Sequence, residues 1–265
     1  MELRVQHEEC VDSTSERLFE ALAQGSARHG DVCIAREQSA GRGRRGATWH
    51  SGPDGGLYLS ILLLPGPPLL HPAALTIGAG IAALETVRAL GVAPARLKWP
   101  NDVVVDRERG TDALHASAKL AGVLVETRGL DPANPHYVVG IGLNIAQRTF
   151  PPELAAARAV TSVALEGGRD SLESAERELL PRLAAGLERA TLESSTLTER
   201  FLDCARLRDA LVEVELGAEL RRGRVRALEL RRGIALEPDP STGAPTRIEW
   251  LPLEHVRQVR ALDRA

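Results

Sequence analysis

Three glycines and three arginines fall within six residues, Gly41-Arg-Gly-Arg-Arg-Gly46, and Trp49 follows shortly after. Glycine raises the entropic cost of ordering a helix or a strand, so the stretch reads as a loop. A loop of this composition can lay backbone N–H groups and guanidinium forks around an anion. It lacks the Gly-Lys-Ser/Thr ending of a nucleoside-triphosphatase P-loop, and it does not open a helix as a dinucleotide fingerprint does. Alone it specifies an anion cradle and no particular anion.

The lysines narrow the chemistry. Of 33 basic residues only two, Lys98 and Lys119, are lysine. Arginine fills the general need for positive charge, as a GC-rich coding bias would produce. A compact ammonium on a flexible stem can enter a small site that a planar guanidinium cannot. Both lysines are therefore candidates for chemistry. Lys98 opens Lys98-Trp-Pro-Asn-Asp102, in which Pro100 to Asp102 is turn chemistry. Lys119 opens Lys119-Leu-Ala-Gly122, with Glu126 beyond it. Ser13-Thr14-Ser15 precede an apolar repeat at Leu18, Phe19, Leu22 and Ala23. Those hydroxyls either cap a helix or present a helix N-terminus to a small polar ligand. Gly140-Ile-Gly-Leu-Asn144 reads as a strand with a close backbone approach. Each candidate has a plainer alternative: Trp49 and Trp99 as core aromatics, Lys98 as a buried structural ion pair.

Several elements must position these residues. Strands are expected at Leu3–Val5, Val32–Ala35 and Leu57–Leu64, the last apolar on both faces and so central. Ala73–Leu90 reads as a long helix, with Gly78 and Gly80 set for close packing on the sheet. Two short strands flank the turn at 100–102, residues 107–117 read as a mobile hairpin tip, and Ala118–Glu126 pairs with His136–Ile145 through a connection at 131–135. Helices follow at Pro151–Arg158, Leu172–Leu192 and Leu197–Arg206. From Ala210 the pattern changes to short strands with turns: 211–216, 220–230, 233–237 and 246–250. The expected class is α+β: a mixed or antiparallel sheet flanked by helices over 1–209, and a small barrel over 210–265.

The totals exclude other classes. Hydrophobic content of 43% and charged content of 26% describe an ordinary globular chain. No run approaches the roughly 18 apolar residues of a membrane span, and the N-terminus lacks a signal-peptide core. Three cysteines at unrelated spacings fit reduced thiols in a cytoplasmic protein and no metal site. A net charge of −3 disfavours a polyanion binder. The cluster Arg221, Arg222, Arg224, Arg226, Arg231 and Arg232 has no interleaved aromatic residue to stack bases and reads as solvated strand faces.

Four stretches in order, Gly41 to Trp49, Lys98 to Asp102, Lys119 to Gly122 with Glu126, and Gly140-x-Gly-x-Asn144, make the chain resemble the biotin protein ligases. The specific part of the resemblance runs from about Asp12 to Asn144; a looser part reaches the C-terminus. It implies the class II synthetase-like catalytic domain of biotin and lipoate ligases, followed by an SH3-like barrel. It further implies that ATP, with Mg2+, and biotin are substrates, that no cofactor stays bound, and that biotinyl-5′-AMP forms and passes biotin to a lysine of a biotin carboxyl carrier domain. A carboxylate and an α-phosphate repel each other, so fixed cations and aimed donors are what the first step requires.

By the same resemblance, biotin would be held by Ser13, Thr14, Ser15, Gln38 and Gly122, under a loop of Gly41, Arg42, Gly43 and Arg44. Nucleotide contacts would come from Arg44, Arg45, Trp49, Asn101 and Asn144. Lys119 would reach both carboxylate and phosphate oxygens. Arg42, Asp102 and Lys98 complete the catalytic set, with Asp102 placed to hold or deprotonate the incoming amine. Two positions depart from the family pattern. Ser15 stands where asparagine is usual, and Ala47 where the loop often has arginine, which predicts weaker nucleotide binding or a looser loop. The start of the chain leaves no room for a winged helix-turn-helix, so a monofunctional ligase is expected over a ligase-repressor. A homodimer using a sheet edge is compatible. The readings to be separated from it are a lipoate or octanoyl transferase, a nucleic-acid-binding regulator and a non-enzymatic biotin sensor.

Overall fold

A computed structural model describes the chain except for residues 67–69, 108–116, 129–134, 192–193, 241–246 and 263–265. Seven strands form the main sheet: β1 (Arg4–Val11), β2 (Asp31–Gln38), β3 (Gly56–Leu63), β4 (Arg96–Lys98), β5 (Asp102–Asp106), β6 (Ser117–Glu126) and β7 (Tyr137–Asn144). Their order is β1-β2-β3-β7-β6-β5-β4. β1 and β2 run parallel, and every other neighbouring pair is antiparallel. With helices α1 (Thr14–Ala23), α2 (Pro72–Ala89), α3 (Pro152–Ala157), α4 (Leu172–Glu188) and α5 (Ser195–Cys204), this is the α+β class expected. β1 is longer than its apolar residues suggest. It is an edge strand whose residues Gln6 to Cys10 are exposed, so no burial periodicity marks it. The hairpin tip at 107–117, the connection at 131–135 and the turns near 65–68 and 239–243 lie wholly or partly outside the described residues.

The two faces of the sheet are built differently. α1 covers one with Leu18 and Phe19, packed on Cys33, Leu62 and Val138. The other carries Leu59, Ile61, Val139 and Ile141 and is covered by α2. α2 is apolar on nearly all sides and buried between the sheet and helices α4 and α5. Gly78 corrects the expectation of packing on the sheet. A Cβ there would stand 2.7 Å from the carbonyl oxygen of Gly186, so this glycine lets α2 and α4 touch backbone to backbone.

The C-terminal strands β8 (Leu211–Leu216), β9 (Glu219–Glu229), β10 (Gly233–Pro238), β11 (Glu249–Leu251) and β12 (Val256–Ala261) form an antiparallel sheet in the order β11-β10-β9-β8-β12. Among the described residues no pairing closes it between β11 and β12. β12 escaped the sequence pattern because a register shift between Val256 and Gln258 breaks its two-residue period, leaving Val256 and Val259 as its buried positions. Trp99 joins the two sheets. It is buried, edge-on to Phe201 at 5.7 Å, and its Nε1 donates to the Val256 carbonyl at 3.4 Å. The core-packing alternative is correct for this tryptophan.

Candidate active site

The site lies on the α1 face, where three strands give up their side chains. Ser60 of β3 pairs with Gly140 of β7, and Gly140 with Leu124 of β6. One step along, Tyr58 pairs with Gly142, and Gly142 with Gly122. This floor of serine and glycine opens a cavity of about 260 Å³. Its depth depends on the missing side chains. A Cβ on Gly140 would be 3.3 Å from Ser15 Oγ, and one on Gly142 would be 2.3 Å from Trp49 Cε2.

One end of the cavity is a hydroxyl and amide cluster. Thr14 donates from its backbone N and its Oγ1 to Gln38 Oε1, at 2.9 and 3.2 Å. Gln38 Nε2 donates to Ser51 Oγ at 2.8 Å. Ser60 Oγ shares hydrogen bonds with Thr14 Oγ1 at 2.8 Å and Ser15 Oγ at 2.9 Å. Ser13 occupies the N-cap position of α1, yet its side chain makes no capping bond. It is buried and lines the cavity, so a simple cap does not describe this helix start. Ser60 was missed. Its signal was visible: a single serine inside the apolar run Leu57–Leu64.

The rest of the wall is cationic. Arg42, Arg44, Arg45, Lys119 and Arg158 line it, against one carboxylate among the described residues, Asp102. The antiparallel pairing of β5 with β6 sets Asp102 opposite Gly122, and Lys119 Nζ lies 2.6 Å from Asp102 Oδ1 as an ion pair. The glycine-arginine loop is braced by bridges between Gln38 and Ser51 and between Arg42 and Thr48. Between them Arg44 to Gly46 form one 3-10 turn, with Arg45 in the left-handed region at φ 55°. Trp49 packs over Gly142 and Gly122, and Lys119 Nζ is 5.2 Å from its ring centroid. Among the described residues the indole Nε1 is buried without a partner, as is Arg42 Nε. Such atoms cost about 1–3 kcal/mol each until something fills them.

Three expected site residues lie outside the main cavity. Gly41 is buried outside the cavity, with the Trp49 carbonyl oxygen 2.5 Å from where a Cβ would sit; it shapes the loop. Lys98 shares a register position with Asp102 but donates to Ser117 Oγ at 3.3 Å and does not line the cavity. Burial holds its ammonium below the ordinary lysine range, while Asp102 pulls the other way. Asn144 donates to the Thr161 carbonyl at 2.9 Å and faces a smaller adjoining cavity shared by Trp49, Lys119 and Arg158. Asn101 does line the main cavity, but its amide accepts from Arg44 Nη1 at 3.2 Å and donates to the Val123 carbonyl at 2.7 Å.

Arg42 is also less free than its motif suggests. Its Nη1 donates to Glu16 Oε2 at 2.7 Å and its Nη2 to Glu126 Oε2 at 3.2 Å. Arg128 donates to both oxygens of Glu16, at 2.6 and 2.7 Å. These hydrogen bonds, Arg128 first and then Arg42, hold the Glu16 carboxyl down at about 2. The network clasps α1, the loop and the end of β6 together. The C-terminal arginines are likewise engaged: Arg222 with Asp239, Arg226 with Glu237 and Asp209, and Arg232 over the Trp250 ring at 3.7 Å.

A sheet with one gutted face, a hydroxyl pocket at one end and a lysine-carboxylate pair beside an arginine loop make a site suited to a ligand that is uncharged at one end and anionic at the other. The chain belongs to the biotin/lipoate A/B protein ligase family, whose model matches residues 8–144. It is 40% identical over 141 residues to the bifunctional ligase/repressor BirA of Salmonella typhimurium, a match covering 52% of this chain and 39% of that protein. It is 38% identical over 139 residues to the biotin–[acetyl-CoA-carboxylase] ligase of Mycobacterium tuberculosis, covering 51% of this chain and 47% of that one. These matches thus span less than half the length of either relative. Across the whole fold it superposes on the biotin protein ligase of Aquifex aeolicus, in complex with biotin and ATP, with a TM-score of 0.74 and 26% identity over 97% of this chain and 99% of that chain.

Proposed function

We propose that the chain activates biotin with ATP to biotinyl-5′-adenylate and transfers the biotinyl group to a lysine of a biotin carboxyl carrier domain. The observation that carries this reading is the cavity itself. A neutral hydroxyl and amide cluster sits at one end and five cations line the rest, with Lys119 among them.

In this reading the cluster of Ser13, Thr14, Ser15, Gln38 and Ser60 hydrogen-bonds the ureido ring, and the bare Gly122 and Gly140 make room for the bicycle. Lys119 draws the biotin carboxylate and the α-phosphate together, so that a carboxylate oxygen attacks phosphorus and pyrophosphate leaves. Mg2+ enters with ATP as part of that substrate. When phosphate oxygens take over Lys119, Asp102 loses its counter-ion and is left to receive the carrier amine. The amine nitrogen then attacks the acyl carbon, AMP leaves, and Asp102 takes the proton. Residues 1–209 would carry the chemistry and 210–265 would form an appended unit. A homodimer and a cytoplasmic setting accord with the same reading; among the described residues no helix is long and apolar enough to cross a membrane.

The test is pyrophosphate release on mixing biotin with Mg-ATP, followed by transfer of labelled biotin to a carrier domain. Release with lipoate and not with biotin would replace the substrate. No release with either would leave a biotin sensor.

A further inference from the structure

Arg158 stands at the junction of the main cavity and the smaller one beside it and lines both. It is half-buried and pairs with no carboxylate among the described residues. Two other cations of the site have such partners: Arg42 has Glu16 and Glu126, and Lys119 has Asp102. Arg44 and Arg45 of the loop also pair with no carboxylate among the described residues, but they line the main cavity and not the smaller one. The backbone beyond Arg158 is firmly placed. Lys119 N donates to the Ala159 carbonyl at 2.9 Å, Thr161 N donates back to the Lys119 carbonyl at 2.9 Å, and Val160 forms a parallel bridge with Lys119. Asn144 Nδ2 holds the Thr161 carbonyl at 2.9 Å. Arg158 therefore emerges from a segment registered on the same residue as the lysine of the site. Of the loop residues that line the main cavity, Arg42, Arg44 and Arg45 bring charge and Ala47 brings none.

A guanidinium drawn partly out of water without a counter-ion is unfavourable until an anion arrives. The fork geometry of arginine suits phosphate oxygens, which it can take two at a time. We propose that Arg158 is a phosphate-binding residue of the nucleotide site, taking the β- and γ-phosphates that leave as pyrophosphate. The hydroxyl cluster provides for the uncharged end of the acyl substrate, and Lys119 lies between that cluster and the smaller cavity. A cation on the far side of Lys119 from the hydroxyls meets the phosphate chain and not the carboxylate. This inference rests on ATP being the second substrate.

The test compares the full chain with Arg158→Ala and Arg158→Lys, measuring KM for ATP, KM for biotin and inhibition by pyrophosphate. Loss of one charge-assisted contact should raise KM for ATP and weaken pyrophosphate inhibition about ten- to hundredfold in Arg158→Ala, with KM for biotin unchanged. Arg158→Lys keeps the charge and loses the fork, so it should fall between. Unchanged ATP and pyrophosphate constants in Arg158→Ala, or an equal loss for ATP and biotin, would overturn the assignment. If the unaltered chain releases no pyrophosphate, the activity reading has failed, and calorimetric titration of Mg-ATP into both forms still decides the role of Arg158. Weaker titration by Arg158→Ala supports it, and equal titration refutes it.

Discussion

The same three strands, β3, β7 and β6, present two opposite solutions on their two faces. Under α2 the face reads Leu59, Ile61, Val139, Ile141, Ala121 and Val123, every one buried. Under α1 and the loop the alternate positions read Ser60, Gly140, Gly142 and Gly122, and the space that side chains would fill is a cavity. Stability therefore resides mainly on one face and chemistry on the other, one residue apart along each strand. That separation lets the site face hold orphaned donors and crowded cations, because the packed face supplies the apolar burial that folding needs.

The largest effect should come from Lys119, the hinge between the hydroxyl end and the arginine loop. Lys119→Ala should cut adenylate formation on the order of 10²–10³-fold, read by pyrophosphate release. Lys119→Arg should remain severely impaired, since the site admits a compact ammonium beside Asp102 and under Trp49. Arginine rates near those of the unaltered chain would remove the special role of this lysine. The next pair sets one face directly against the other. Gly142→Ala puts a methyl where the Trp49 ring lies, so the indole must move; KM for ATP should rise on the order of 10- to 100-fold while the fold persists. Ile61→Ala, on the packed face and away from the cavity lining, should do the reverse, costing about 2–5 kcal/mol of unfolding free energy with little change in KM. Denaturant titration and steady-state kinetics on both variants would show whether the faces are separable. If each variant lost stability and ATP affinity together, they would not be.

The apolar face was legible in the sequence, because burial on both sides leaves β3 a nearly continuous apolar run and α2 an almost all-apolar composition. So were the residues whose types are scarce or charged for a reason: Lys119, Asp102 and the arginine loop, though the joint reading drew on their resemblance to a known family. The rest depended on contacts that spacing does not encode. Glu16 meets Arg42 and Arg128 across 26 and 112 residues of chain. Asn144, Lys98 and Gly41 have suitable types in suitable motifs, yet they stand outside the main cavity: Gly41 within the loop, Lys98 bonded to Ser117, and Asn144 bonded to the Thr161 carbonyl at the edge of the smaller cavity. Ser60 carried a signal, a polar residue in an apolar strand, whose meaning depended on knowing that Gly140 and Ser15 stand opposite. β12 was hidden by one bulge.

The smallest effect expected is also the one that isolates the site face by its electrostatics. Glu16 accepts hydrogen bonds from Arg128 and Arg42, which hold its carboxyl at about 2, below the 4.5 of a free glutamate. A folded-state value below the unfolded one means that the unfolded chain binds more protons in between. The stabilisation is then complete above about pH 4.5 and is lost as pH falls toward about 2. The pair is partly solvated, so Glu16→Gln should cost only on the order of 1 kcal/mol near neutrality. Between unaltered and Glu16→Gln protein the melting gap should stay level down to about pH 5, then close in acid. Ile61→Ala removes no titrating group, so its gap should show no such closure. Because the clasp also fixes the loop, Glu16→Gln should release biotinyl-adenylate faster even where its melting cost is slight. A melting gap for Glu16→Gln that persists into acid would mean the carboxylate contributes packing and no charge, and the clasp would then belong with the apolar face after all.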